Sequence, residues 1–192
     1  MTPQSHTEAP PLDPWEARWA PYAEADYQAA LSSLRPDDVV LDIGAGDLRL
    51  ARRMARIARQ VIAWEMQPEL LARALHPLPP NLLARAVDAR IEPIPAGVTV
   101  AVLLMRHCQH FRLYVGKLRA AGCGRLITNA RWGMGVEVIP LTPGLSWRET
   151  QPGWYACRRC GAVGFLGDDG AQIDTRAIDA VQDVEGCPAC NR

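Results

Sequence analysis

Lysine is nearly missing from this sequence of 192 residues: Lys117 is the only one, against 20 arginines. Because alanine and proline are abundant as well, we interpret this as a bias of coding composition rather than a function. The formal net charge is zero, which excludes a strongly basic arm for nucleic acid. No apolar run approaches the roughly 20 residues that span a bilayer, and no signal peptide opens the chain. We therefore expect a cytoplasmic protein with no membrane segment.

A hydrophobic content of 48% is that of an ordinary globular protein, and the length suits one α/β core with a small appendage. Residues 1–13 are rich in proline, serine and threonine and lack periodicity, so we predict a disordered segment. Proline and glycine become frequent after residue 140, and helical patterning fades after residue 154. We therefore predict a main domain over 14–145 and a second domain over 146–192.

Apolar strands alternate with helical patterns through the main domain. This alternation predicts an α/β fold with a doubly wound, mostly parallel sheet. The predicted strands cover residues 39–43, 61–64, 82–87, 98–104, 125–129 and 136–141.

A glycine turn follows the first predicted strand and is flanked by acids. Gly44 allows the strand to stop abruptly, and Gly46 allows main chain to approach a ligand closely. Asp42 precedes the turn, Glu65 ends the second strand, and Asp88 follows the third. Carboxyl ends of parallel strands share one edge of a sheet, where open α/β sheets bind ligands. The pattern predicts a nucleotide-like ligand, with Glu65 accepting ribose hydroxyls.

Segments 41–46 and 118–127, with Glu65 and Asp88, resemble class I S-adenosylmethionine-dependent methyltransferases. The resemblance covers about residues 14–141 and implies S-adenosylmethionine as cofactor. It places the glycine turn around the methionine part, Glu65 on the ribose, and Asp88 with its neighbour on the adenine. The cofactor-binding residues that it implies are Asp42, Gly44, Gly46, Glu65, Met66, Asp88, Ala89 and Leu104.

Two alternatives share the glycine turn. Dinucleotide dehydrogenases have it too, but their third glycine is missing here, and Leu48 stands where the methyltransferase motif usually has its third glycine. Asp42 favours S-adenosylmethionine, because a carboxylate suits a ligand with ammonium and sulfonium charges better than a pyrophosphate. The other alternative is an α/β fold of this type that binds no cofactor.

The end of the fourth strand is where a methyl acceptor should face the cofactor. Enzymes that methylate exocyclic base amines or glutamine amides typically have an (Asn/Asp)-Pro-Pro-(Tyr/Phe) motif here, which this sequence lacks. It has Arg106, His107 and His110 instead. Either histidine could act as general base near neutral pH, and Arg106 could anchor an acidic substrate. The alternative is that they cap the next helix or form hydrogen bonds in the core.

Four cysteines form two CxxC pairs near the end of the sequence. Cys157 and Cys160 form the first pair, and Cys187 and Cys190 the second, with 26 residues between the pairs. This spacing predicts one structural Zn²⁺ held by four thiolates in a ribbon-like domain. A redox pair or an iron–sulfur cluster explains two symmetrical pairs less well.

The charge of this second domain bears on its partner. Residues 151–192 hold four arginines and six acids, which is unfavourable for binding phosphates. Recognition of a protein partner, or a structural role beside the main sheet, is favoured over nucleic acid. One predicted helix has an arginine-rich face, formed by Arg49, Arg52, Arg53, Arg56 and Arg59. An RNA methyltransferase is therefore a further alternative.

We therefore expect a methyltransferase that transfers a methyl group from S-adenosylmethionine to an oxygen, nitrogen or sulfur nucleophile. The alternative from another class is a methyltransferase-like interaction protein whose cofactor binding is vestigial. The sequence does not identify the molecule that accepts the methyl group.

Overall fold

The computed structural model describes residues 21–74, 77–131, 133–167 and 180–191. The predicted disordered segment 1–13 lies outside these residues. The described helices are α1 (Glu24–Ser32), α2 (Arg49–Met54), α3 (Pro68–Leu71) and α4 (Phe111–Ala120). Among the described residues, no helix combines the length and the apolar character needed to cross a bilayer.

The first sheet has six strands in the order β3-β2-β1-β4-β5-β6. The first five are parallel, and β6 runs antiparallel to β5. Their bounds are β1 (Val39–Ile43), β2 (Gln60–Glu65), β3 (Leu82–Ala86), β4 (Val100–Leu103), β5 (Arg125–Thr128) and β6 (Glu137–Pro140). Each lies within two residues of the predicted strand. The predicted doubly wound, mostly parallel sheet is confirmed.

A hydrophobic layer covers each face of this sheet. On one face, α1 and α2 bury Leu31, Ala51 and Met54 against the strands. On the other face, α4 buries Phe111 and Leu118. Each fully buried Leu, Phe or Met contributes about 1.5–3 kcal/mol, so the sheet holds the helices firmly. β1 lies at the centre with all five of its residues buried, as the apolar run predicts for a strand covered on both faces.

The second sheet has four strands in the order β7-β10-β8-β9. They are β7 (Leu145–Ser146), β8 (Gly153–Cys157), β9 (Val163–Leu166) and β10 (Val181–Glu185). β8 and β9 form an antiparallel hairpin, whereas β10 is parallel to both β7 and β8. The predicted domain boundary after residue 145 lies within β7. The division of the chain into two domains stays a prediction.

A buried arginine joins the two sheets. Arg131, which follows β5, has a side chain only 1% exposed. Its Nε donates to Glu137 at 2.6 Å, and its Nη1 donates to Asp183 of β10 at 2.7 Å. Because a buried guanidinium needs partners for its charge, these two carboxylates fix the second sheet against the first.

Candidate functional site

The glycine turn after β1 is bonded to the end of β2. Gly44 and Ala45 both donate backbone N–H groups to the carbonyl of Trp64, at 2.8 and 2.9 Å. Gly46 donates to Oε2 of Glu65 at 2.9 Å, and Gln67 donates to the other carboxylate oxygen at 2.9 Å. Both glycines have positive φ angles, +76° and +57°, which glycine adopts without strain. The turn therefore holds Glu65 in one orientation.

A cavity of about 600 Å³ opens at the carboxyl edge of the sheet. Of the sequence-predicted residues, it is lined by Asp42, Gly44, Glu65, Met66, Asp88, Ala89, Leu104, Arg106, His107 and His110. Gly46 is not among the lining residues, and it acts through its hydrogen bond to Glu65. The structure thus brings ten of the eleven predicted cofactor and catalytic residues to one cavity.

Asp42 is the most unusual group in this cavity. Its carboxyl is 4% exposed, and its Oδ2 has no hydrogen-bond partner. Burial, with a smaller contribution from the negative charge of Glu65, raises the pKa of Asp42 to about 7. A buried polar atom without a partner costs about 1–3 kcal/mol. A cationic ligand placed here would supply the missing partner and favour the ionised form.

Asp88 already has a partner in the structure. Both of its carboxylate oxygens accept hydrogen bonds from the Arg90 side chain, at 2.8–3.0 Å. Burial tends to raise the pKa of Asp88, but the hydrogen bonds from Arg90 outweigh this and lower it. The Arg90 side chain is 7% exposed. If Asp88 contacted an adenine amine, that amine and the Arg90 side chain would therefore share the same carboxylate.

The three predicted residues at the acceptor end differ in their surroundings. Arg106 is held by Asp26 of α1, with its Nη2 at 3.1 Å from Oδ2, and its backbone N–H donates to the Tyr22 hydroxyl at 2.9 Å. His107 is exposed and has a left-handed backbone, with φ +61°. His110 precedes α4 and is half-buried, with its ring edge-on to Tyr114. Arg106 would have to leave Asp26 to anchor an acidic substrate.

Several lining residues have no signal in the motifs. Tyr22 precedes α1, Asp26 and Tyr27 lie in α1, and Trp64 comes from β2. The helical spacing of aromatic residues between 14 and 34 favours a core-packing face over the lining of a pocket, and Tyr27 does belong to the core. It also lines the cavity, because α1 passes over the carboxyl edge. Spacing alone does not show that one helix serves both purposes.

The arginines of α2 are largely engaged with the protein itself. Arg49 pairs with Asp47 at 2.6 Å, Arg53 pairs with Glu24 of α1 at 2.6 Å, and Arg52 donates to the carbonyl of Pro77. Phosphate binding requires cations that are free to replace counterions. These contacts involve three of the five arginines of the predicted basic face, and the RNA-binding role of that face stays a prediction.

The four cysteines of the CxxC pairs form one cluster. The possible ligand atoms of Cys157, Cys160, Cys187 and Cys190 all lie within 4.8 Å of one another. The sulfur atoms of Cys157 and Cys190 are 3.7 Å apart, and those of Cys160 and Cys187 are 3.5 Å apart. Four thiolates at about 2.3 Å from a tetrahedral Zn²⁺ would be about 3.8 Å apart, whereas a disulfide would bring two sulfurs to about 2 Å. The cluster therefore fits a metal better than a disulfide.

The thiol chemistry agrees with that geometry. A hydrogen bond from Cys160 and several backbone N–H groups lower the pKa of Cys157 to about 3, despite burial. The same interaction, together with burial, raises the pKa of Cys160. The shared hydrogen bond therefore favours the thiolate at Cys157 and opposes it at Cys160. A divalent cation would replace the remaining protons.

The structure thus has the predicted α/β architecture, a mostly parallel sheet, with a glycine turn after β1 and acids at the ends of β1 and β2. No protein-family model matches the sequence, and a search of curated proteins gives no match. Solved structures with a similar fold include precorrin 8w decarboxylase from Methanobacterium thermoautotrophicum. It is 21% identical, with a TM-score of 0.49, over 58% of this chain and 65% of that one.

Two methyltransferases are each similar in fold to more than half of the chain. A tRNA methyltransferase from Aquifex aeolicus is 20% identical, with a TM-score of 0.47, over 57% of this chain and 47% of that one. Phosphoethanolamine N-methyltransferase 1 from Haemonchus contortus, solved with S-adenosylhomocysteine, is 20% identical, with a TM-score of 0.46, over 58% of this chain and 26% of that one. The chain thus covers less than two thirds of each of these three proteins. None of these similarities identifies a substrate for this chain.

Proposed function

We propose that this protein binds S-adenosylmethionine in the cavity at the carboxyl edge of the first sheet and is a methyltransferase. The observation that carries the proposal is the unpartnered Oδ2 of Asp42, which is buried beside Glu65 in a cavity of about 600 Å³. S-adenosylmethionine has ammonium and sulfonium charges on one end. The buried carboxylate of Asp42, when ionised, would match that end in charge.

Different residues around the cavity would bind different parts of the cofactor. Asp42 would hold the ammonium-bearing part, and the glycine turn leaves room for it beside Gly44. Glu65 keeps lone pairs on both oxygens after accepting from Gly46 and Gln67, so it would accept the ribose hydroxyls. Met66 and Ala89 would enclose the adenine, with Asp88 at its edge. The bound cofactor would supply an electrophilic methyl group on its sulfonium.

The acceptor would enter beside Leu104 and the segment from Arg106 to His110. Methyl transfer depends largely on positioning, and His107 or His110 would take a proton from a hydroxyl, thiol or amine acceptor. The acceptor atom would be an oxygen, nitrogen or sulfur nucleophile, and the molecule that carries it is not identified. The missing (Asn/Asp)-Pro-Pro-(Tyr/Phe) motif disfavours base amines.

Calorimetric titration of the protein with S-adenosylmethionine tests the proposal. We expect one binding site per chain, with affinity greatly reduced in Asp42→Asn and unchanged in Glu69→Gln, which changes an exposed acid of α3. NAD⁺ serves as the competing ligand. Binding of NAD⁺ without binding of S-adenosylmethionine would contradict the proposal and favour a dehydrogenase. Absence of both would favour the interaction protein.

We further propose that the four cysteines hold one structural Zn²⁺. With all four ligands from the protein, the ion would have no open position for a catalytic water. Elemental analysis of purified protein should give one zinc per chain. Cys157→Ser should abolish this, whereas Cys123→Ser should not, because Cys123 is buried in the core of the first sheet. Zinc bound equally by both variants would contradict the assignment.

A further inference from the structure

α4 (Phe111–Ala120) lies between the cavity and the four-cysteine cluster. On one side, Tyr114 and the preceding His110 line the cavity. On the other side, two side chains of the same helix contact residues next to the cysteines, one near each end of the helix. Phe111 is the first residue of α4 and Arg119 is the last but one.

The first contact joins Phe111 to the first cysteine pair. Gly161 directly follows Cys160 and has a φ angle of +77°. A β-carbon built on Gly161 would lie 2.9 Å from Cδ1 of Phe111 and 3.1 Å from its Cγ. The aromatic ring therefore lies directly against the backbone of the first CxxC turn, and Phe111 itself is buried, with 3% exposure. Any displacement of that turn would displace the start of α4.

The second contact joins Arg119 to the second cysteine pair. Its Nη1 and Nη2 donate to the two carboxylate oxygens of Glu185 at 2.6 and 2.8 Å. Glu185 ends β10 and is separated from Cys187 by Gly186 alone. A bidentate pair of this kind is strong and fixes its two partners geometrically.

We propose that the metal at the four cysteines and the ligand in the cavity bind with positive coupling, because α4 transmits the order of one site to the other. The inference rests on the proposed function of both sites. Phe111 and Arg119 are positioning residues: they do not line the cavity, and they hold the helix that carries Tyr114.

Removal of the metal would disrupt both contacts of α4 with the second sheet at once. A small metal-dependent sheet loses its structure when its metal is removed. The turn at Gly161 and Glu185 at the end of β10 would then release Phe111 and Arg119 together, and the His110–Tyr114 wall would lose its support. The coupling is reciprocal by thermodynamic necessity: a cavity ligand that binds metal-loaded protein more tightly must raise the affinity for the metal by the same factor. We expect this higher affinity to appear as slower loss of the metal.

Two glycines give a matched pair of variants. Gly161 and Gly186 both adjoin a cysteine and have nearly the same φ, +77° and +76°. A β-carbon on Gly186 meets nothing within 4 Å, whereas one on Gly161 meets Phe111. Gly161→Ala and Gly186→Ala therefore share the same backbone strain and differ in the contact with α4.

The experiment measures two quantities in zinc-loaded wild type and in both variants. The first is the rate of zinc transfer to a colorimetric chelator, with and without S-adenosylhomocysteine. The second is hydrogen exchange of the peptide covering residues 104–120, with and without zinc. In wild type we expect S-adenosylhomocysteine to slow zinc release by about fivefold or more, a typical allosteric factor, and zinc to protect the peptide. Gly186→Ala should keep both effects, and Gly161→Ala should lose most of both.

Failure of the coupling can be told from failure of the proposed function. If wild type binds S-adenosylhomocysteine and zinc but neither effect appears, the coupling is wrong. Equal loss of both effects in the two glycine variants would also overturn it, because backbone strain would then be the cause. If zinc-loaded wild type binds no S-adenosylhomocysteine, the proposed cofactor is wrong. Hydrogen exchange alone then decides whether the metal orders α4.

Discussion

The backbone N–H of Gly46 donates to Oε2 of Glu65 across 19 residues of sequence, at 2.9 Å. This hydrogen bond joins the glycine turn to the acid at the end of β2. The carboxylate is 4% exposed, and its orientation is therefore set by the backbone before any ligand arrives. A preorganised acceptor loses little entropy on binding.

The first prediction concerns this carboxylate. Glu65→Gln replaces one carboxylate oxygen by an NH₂ group. The side chain can then no longer accept hydrogen bonds from both Gly46 and Gln67. We expect the free energy of unfolding to fall by about 1–3 kcal/mol, and affinity for S-adenosylmethionine to fall by about tenfold or more. Denaturant unfolding and calorimetry measure the two effects. Glu69→Gln is the matched control, and an equal response in both variants would count against a special role for Glu65.

The second prediction concerns pH. The pKa of Asp42 is raised to about 7 in the folded protein, against about 3.9 in an unfolded chain. Between these values the folded state binds the extra proton, so stability of the ligand-free protein falls as pH rises from about 4 to 7. The effect amounts to no more than about 4 kcal/mol. The stability difference between wild type and Asp42→Asn should follow this curve in urea titrations.

Ligand binding should show the opposite dependence on pH. A cationic ligand favours ionised Asp42, so affinity should decrease as pH falls below about 7, and binding there should release a proton. Calorimetry in two buffers of different ionisation enthalpy measures that proton. Affinity that is constant between pH 5.5 and 8 would contradict the assignment of Asp42 to the cationic part of the ligand.

The third prediction concerns the joint between the two sheets. Arg131→Met removes a buried guanidinium and leaves Glu137 without this partner, whereas Asp183 keeps its 3.5 Å contact with Arg158. Loss of one member of a buried ion pair costs about 3–5 kcal/mol. The two carboxylates are 17% and 31% exposed, so water can compensate in part and we expect about 2–3 kcal/mol. Thermal unfolding should show this loss, and Arg56→Met, at an exposed arginine after α2, should show almost none.

The fourth prediction concerns His107. A left-handed backbone is costly for most side chains and free for glycine. We therefore expect His107→Gly to be more stable than His107→Ala by about 1 kcal/mol, as measured by unfolding in denaturant. Since His107 is exposed, its ring contributes little burial. Equal stability of the two variants would mean that the turn relaxes when the ring is removed.

Strand ends were the most predictable part of the site. The acids at positions 42, 65 and 88 follow apolar strands, and parallel pairing of β1 with β2 and of β2 with β3 brings these ends together. Local pattern is sufficient there, because the side chains act at the point where each strand stops.

Partners from distant segments were not predictable. Arg106 pairs with Asp26, 80 residues away, and Arg131 pairs with Asp183, 52 residues away. Neither pairing has a periodic signature. The parallel placement of β10 between β7 and β8 was missed for the same reason, since its neighbours are chosen by the cysteine cluster and the ion pairs rather than by its own residues.

The distance in sequence between the two cysteine pairs has a consequence for engineering. A shared metal would cross-link the chain across the 26 residues from Cys160 to Cys187, and the entropy of closing such a loop grows only with the logarithm of its length. Doubling the loop would cost about 0.6 kcal/mol. A tag or reporter inserted after β9 should therefore disturb the cross-link far less than its size would suggest.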